Sequence, residues 1–166
     1  MRGVPVASPP SQADGVSIAK RYWTMTGAPL DLAHIAQGQR VVVLITGDSH
    51  QGRTEQLAID DALPAGFEIE NALGPDDAQA DDPKDASGPY KFLGKLDSPS
   101  AQESRDDRYV AALAVPGNGH FQVAYVARAV TPGDFYLPGV ELRDMYRPSL
   151  YARSNGARTQ VKIAGQ

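Results

Sequence analysis

Apolar residues recur mostly at every second position along this chain, the spacing that lines one face of a strand rather than one face of a helix. Leu57, Ile59 and Leu63 alternate with Gln56, Ala58 and Asp60, and beyond the Pro64-Ala65-Gly66 break Phe67 and Ile69 alternate with Glu68 and Glu70. Both segments are expected to be half-buried antiparallel strands. Pro64 cannot donate a ladder hydrogen bond, so the chain is expected to bend or change sheets between them. Val41-Val42-Val43-Leu44-Ile45 is apolar on both faces and β-branched at four of its five positions, which predicts a central strand deep in the core. Tyr109 to Val115 and Phe121 to Val130 flank Pro116-Gly117-Asn118-Gly119, whose glycines and asparagine accept the positive φ of tight turns, and the pattern predicts a hairpin. Pro132-Gly133 and Pro138-Gly139 delimit Asp134 to Leu137 and Val140 to Met145, and Thr159, Val161 and Ile163 face away from Arg158, Gln160 and Lys162 in a last strand. With Ser17 to Met25 at the start, about eight strands result, the inventory of an antiparallel β-sandwich with Greek-key connections.

Three stretches depart from the pattern. Gly74 to Gly88 is polar and holds five aspartates, Asp76, Asp77, Asp81, Asp82 and Asp85, so 74–88 is expected to be a mobile acidic loop. Ser98 to Arg108 accommodates a short helix near 98–108, with Ser98 capping a first turn that starts at Pro99, or an extended edge. The opening stretch is apolar but unpatterned before Asp14 and reads as the cut end of a longer protein. It leaves 1–15 as a flexible N-terminal segment and 16–166 as a single β-sandwich domain.

Composition supports one core: 42% of residues are hydrophobic and 22% charged, while sixteen glycines and thirteen prolines punctuate many short segments. The formal net charge of −4 lacks the basic footprint that phosphate neutralisation requires, so nucleic acid is not expected as a partner. No apolar run approaches the roughly 18 residues of a membrane span, which argues against direct membrane insertion by this chain. Cysteine is absent, removing disulfides, thiolate nucleophiles and cysteine metal sites together.

Catalytic signals are equally thin. The aspartates of 74–88 lack the alternate-position spacing, turn glycine and distal glutamate of a calcium loop, and no metal is expected there. Gly47-Asp48-Ser49-His50 sets a serine beside an aspartate and a histidine, but neighbours in a strand diverge to opposite faces, and a polar turn is the expected reading. His34, His50 and His120 share no metal-ligand spacing and are expected at the surface. No cofactor signature is present, and the chain is expected to be no enzyme. More informative is Asp144-Met145-Tyr146-Arg147-Pro148, where a thioether and an aromatic ring sit together in a segment bounded by Pro138 and Pro148. Such a pair either completes the chain's own core or forms an apolar plug for another surface.

At these positions the chain resembles a known family. Leu63 to Asn71 (LPAGFEIEN), Arg105 to Leu113 (RDDRYVAAL) and Val126 to Pro148 (VARAVTPGDFYLPGVELRDMYRP) resemble, in the same order, the C-terminal macroglobulin-like domain of bacterial alpha-2-macroglobulins, and the resemblance covers about Val16 to Ile163. It implies a macroglobulin or receptor-binding-domain-like sandwich from a large periplasmic protease trap, in some cases a membrane-anchored lipoprotein. In such traps, cleavage of a bait region exposes an internal thioester, formed in a Cys-x-Glu-Gln motif of a helical domain, which captures the protease. Without cysteine this chain lacks that motif, so the resemblance implies a non-catalytic contact role. The loop Asp144, Met145, Tyr146, Arg147 and Pro148 would pack on the thioester domain of the parent protein, its intramolecular partner, and Met145 and Tyr146 would shield the bond until activation. Target proteases would then be met only through the parent. The alternative is a generic β-sandwich adhesion or carbohydrate-binding module with Trp23, Tyr90 and Tyr109 as stacking rings.

Overall fold

The structure is a computed structural model and describes residues 11–78 and 89–165. Among them the chain forms strands β1 (Gln12–Asp14), β2 (Val16–Trp23), β3 (His34–Ala36), β4 (Arg40–Ser49), β5 (Glu55–Ala62), β6 (Phe67–Leu73), β7 (Ala101–Ser104), β8 (Arg108–Val115), β9 (His120–Ala129), β10 (Gly133–Leu137), β11 (Glu141–Asp144), β12 (Tyr151–Arg153) and β13 (Ala157–Lys162). One helical turn, α1 (Pro75–Ala78), and a 3-10 turn at Lys91–Leu93 complete the elements. A six-stranded sheet runs β1-β12-β11-β5-β8-β7, a four-stranded sheet β2-β4-β9-β6, and a three-stranded sheet β10-β13-β3. Neighbours are antiparallel except β3 and β13, which run parallel. This is the all-β antiparallel sandwich that the alternating pattern predicts.

The two larger sheets bury their facing sides in one core, with Leu57, Ile59, Tyr109, Ala111 and Leu142 meeting Val43, Ile45, Val123, Tyr125 and Ala127. Strand β4 is central, between β2 and β9, and its apolar run is buried on both sides. Val41, Val43 and Ile45 enter the main core. Val42 and Leu44 join a second, smaller cluster with Leu73, Leu93, Leu96, Ala124 and Val126. The stretch after the 3-10 turn closes over that second face, because the Gln122 N–H donates to Asp97 Oδ2 at 2.8 Å and the Asp97 N–H returns to the Gln122 carbonyl at 2.8 Å. The composition therefore fills one main core and a satellite on the far face of the same sheet.

The break at Pro64 does change sheets, since β5 belongs to the six-stranded sheet and β6 to the four-stranded one. The expected hairpin at 116–119 is corrected. Its turn is tight, with the Gly119 N–H on the Pro116 carbonyl at 2.9 Å and Asn118 at φ 53. Yet β8 pairs with β5 and β7, and β9 with β4 and β6. A turn reverses the chain without choosing its neighbours. β8 buries only alternate residues, whereas β9 is buried along nearly its whole length, so each suits a different sheet and the turn is an arch between them.

Of the two readings of 98–108, the short helix is corrected and the extended edge holds: Ala101–Ser104 pairs with β8 as the edge strand β7, and all four of its residues are exposed, so they sit there at no packing cost. Gly47 to Ser49, expected as part of a polar turn, ends β4, and Ser49 is buried. Within the segment expected to be flexible, Gln12 to Asp14 forms β1 and pairs with β12, while 1–10 lies outside the described residues. In the acidic stretch, Pro75 to Ala78 makes one helical turn that buries Ala78, and 79–88, with Asp81, Asp82 and Asp85, likewise lies outside the described residues.

Candidate functional site

The hairpin between β11 and β12 presents the two most exposed large apolar side chains among the described residues, Met145 at 56% and Tyr146 at 78%. Backbone and side-chain bonds fix that loop at every corner. The Asp144 N–H donates to the Leu150 carbonyl at 3.0 Å, the Met145 N–H to the Gln56 carbonyl of β5 at 2.8 Å, and the Leu150 N–H to the Arg147 carbonyl at 2.9 Å. The last of these closes a four-residue turn with Pro148 in its second position, where a fixed φ is favourable. Asp144 Oδ1 accepts the N–H groups of Tyr146 at 2.9 Å and Arg147 at 2.7 Å, so the buried carboxylate caps the start of the loop as an aspartate turn. Leu150, buried at the other end, roots the return strand.

Alternation continues through the loop entrance. Leu142 and Asp144 point inward and are buried, whereas Arg143 is exposed, and Met145 follows Arg143 outward. The internal-core reading of the Met-Tyr pair is therefore not what the described residues adopt; among them both side chains stay mostly exposed. Pro148 is exposed at the turn, and Arg147 is half-buried. Arg147 reaches beneath the loop: its Nη2 meets the carboxylate of Glu55 and lies 3.5 Å from Asp144 Oδ2. Glu55, at the start of β5, is fully buried and also accepts from Arg53 Nε at 3.3 Å.

Sequence reasoning missed Glu55 and a second buried charge, Asp61. Asp61 Oδ1 accepts from Lys20 Nζ at 2.6 Å and its Oδ2 from the Tyr125 hydroxyl at 2.8 Å. Lys20 also donates to the Pro138 carbonyl at 2.8 Å. Burial pushes the Asp61 carboxyl above the ordinary carboxylate range, and Lys20 and Tyr125 pull it only part of the way back. Burial, reinforced by the nearby Asp61 charge, likewise raises the Tyr22, Tyr109 and Tyr125 hydroxyls. The signal was parity: Glu55 and Asp61 share the inward set with Leu57 and Ile59.

Other candidates stay apart. Ser49 is buried and its Oγ has no hydrogen-bond partner among the described residues, while His50 is exposed. His120 Nδ1 lies 3.0 Å from Asp48 Oδ1 on the surface, and this contact, with Ser17, holds the Asp48 carboxyl below its usual range. Tyr109 is completely buried and stacked on Tyr125 with ring centroids 4.8 Å apart. Trp23 and Tyr90 pack partly buried against the second apolar cluster. These three rings therefore form no exposed platform for a sugar. Asp76 and Asp77 sit in α1, where Asp77 Oδ2 accepts the Gly74 N–H at 2.7 Å. No helix among the described residues is long and apolar enough to cross a membrane.

Comparisons agree with the fold and with the sequence motifs. Residues 15–149 match the family model of the bacterial alpha-2-macroglobulin MG10 domain. The chain is 34% identical over 162 residues to an alpha-2-macroglobulin of Xylella fastidiosa, covering 97% of this chain and 10% of that protein. Among solved structures, native Escherichia coli alpha-2-macroglobulin spanning domain MG7 to the C-terminus superposes with a TM-score of 0.81 at 27% identity, over 96% of this chain and 25% of that one. Salmonella alpha-2-macroglobulin reacted with methylamine gives 0.77 at 26% identity, over 96% of this chain and 10% of that one. The chain thus spans about a tenth of the length of the curated relative it matches. With the family model covering most of the sandwich, the chain belongs to the bacterial alpha-2-macroglobulin family as a macroglobulin-like domain of the MG10 type.

Proposed function

We propose that this domain, placed at the C-terminal end of a bacterial alpha-2-macroglobulin-type endopeptidase inhibitor, packs on the thioester domain and shields the thioester until a protease cleaves the bait region. The observation that carries the reading is the exposure of Met145 and Tyr146 on a loop whose every other anchor is buried or bonded. A thioester persists in water only while its carbonyl is kept dry. Burying one methionine and one tyrosine contributes about 4 kcal/mol at most, enough to favour a seal and little enough for a conformational change to reverse. That a relative in Salmonella was solved after reaction with methylamine, a small nucleophile, accords with a reactive group elsewhere in such proteins. On this reading the parent works in the periplasm, soluble or lipid-anchored, and this domain meets target proteases only through the parent.

The test uses the full-length parent. Replacing Met145 and Tyr146 by alanine should raise spontaneous release of the thiol, read with a thiol reagent, by at least about tenfold while the domain stays folded. Unchanged labelling sinks the shielding role. A parent reading frame without Cys-x-Glu-Gln upstream would leave the loop with nothing to shield.

A further inference from the structure

Glu55 stands where a leucine would be expected. It occupies the inward side of β5 in line with Leu57 and Ile59 and is completely buried, and taking a carboxylate out of water costs several kcal/mol unless a partner offsets it. Its principal partner comes not from its own sheet ladder but from the far side of the β11–β12 loop: Arg147, the residue directly after Tyr146. On the near side, Asp144 is buried and holds the Tyr146 and Arg147 N–H groups. The two residues flanking Met145-Tyr146 are thus both tied down into the sandwich, which leaves the pair between them only the outward direction. We propose that Glu55 is the positioning residue of the Met145-Tyr146 loop, fixing through Arg147 the angle at which the pair is presented.

The inference rests on the shielding reading for its consequence, though not for its geometry. Glu55 touches no reacting group; it acts by holding Arg147, and a loop free to swing would seal a partner surface for only part of the time. A purely structural ion pair and a positioning one differ in a measurable way. Replacing both charges by apolar residues of similar volume commonly restores the stability of a fold, because neither side is left unpaired. It does not restore the tether.

The experiment compares wild type, Glu55→Gln, Arg147→Lys and Glu55→Leu/Arg147→Met. In the 166-residue chain, relaxation of the Met145 methyl group reports loop order and thermal unfolding reports stability. In the full-length parent, thiol release reports shielding. Expected is a more mobile Met145 methyl in Glu55→Gln and in the double variant, a melting temperature largely recovered in the double variant, and thiol release raised about tenfold in both. Arg147→Lys, which keeps the charge but loses the planar fork, should fall between. Wild-type methyl relaxation in Glu55→Gln, or thiol release in the double variant that returns to wild type along with its stability, overturns the proposal. If Met145→Ala/Tyr146→Ala leaves thiol release unchanged, the shielding reading fails instead, and the methyl relaxation alone decides whether Glu55 anchors the loop.

Discussion

Met145 and Tyr146 differ from the chain's other large apolar side chains in what their loss should cost. Both stand largely in water, so Tyr146→Ala should change the unfolding free energy of this chain by no more than about 0.5 kcal/mol. Leu57→Ala, in the fully buried facing layer, should cost about 3 kcal/mol because the cavity adds to the lost burial. Chemical denaturation of the two variants checks the contrast, and a large loss on Tyr146→Ala would mean that the ring serves the fold. Lys20 makes the opposite case, a surface-type residue that matters inside. Lys20→Met would strand the Asp61 carboxylate and should cost about 3 kcal/mol or more. Without Lys20 the folded-state pKa of Asp61 rises further, so the folded state holds a proton that the unfolded chain releases. The penalty against wild type is then small while both folded proteins hold the proton and grows as pH rises past the already raised wild-type pKa of Asp61 towards the still higher one of the variant. Melting at about pH 4 and about pH 7 should show the variant losing more against wild type at the higher pH.

At the scale of elements, most strands were legible because apolar alternation and Pro-Gly punctuation carry local information. The proline at 64 even marked a change of sheet, since a missing N–H is a statement about pairing. The 116–119 turn carried no such statement, and the pairing of β8 and β9 was decided by burial on one face against burial on two. Glu55 and Asp61 were missed for a related reason: parity puts both in the inward row, but at its ends, where a charged residue reads as the strand's polar boundary unless its buried partner, far away in sequence, is known. The arch also makes a prediction. A Cβ on Gly117 would lie 2.3 Å from the Gly52 carbonyl carbon, where the β4–β5 and β8–β9 connections touch. Gly117→Ala should therefore destabilise by about 2 kcal/mol, as overpacking does, whereas alanine at Gly38, where a Cβ meets nothing within 4 Å but φ is +82, should act through backbone strain alone and cost about 1 kcal/mol.

On the scale of the whole molecule, the described residues form a sandwich whose two most exposed large apolar side chains stand side by side on one loop. The Met-Tyr loop was legible as a candidate because its residue types are unusual beside prolines, but its exposure was not, since composition alone favours burial of both side chains. Its charged footing, Arg147 on Glu55 and Asp144 under the Tyr146 and Arg147 N–H groups, is what would make a short hairpin connection a presenting arm. Met145 is also a chemical probe of its own cover. Methionine oxidises according to access, so brief peroxide treatment followed by peptide mass spectrometry reads the state of this site in native and methylamine-treated full-length parent. Met145 should oxidise slowly in the native protein and fast after treatment, approaching the rate in this chain alone. Oxidation at the same fast rate in both forms would show that nothing covers the loop, and would contradict the shielding role.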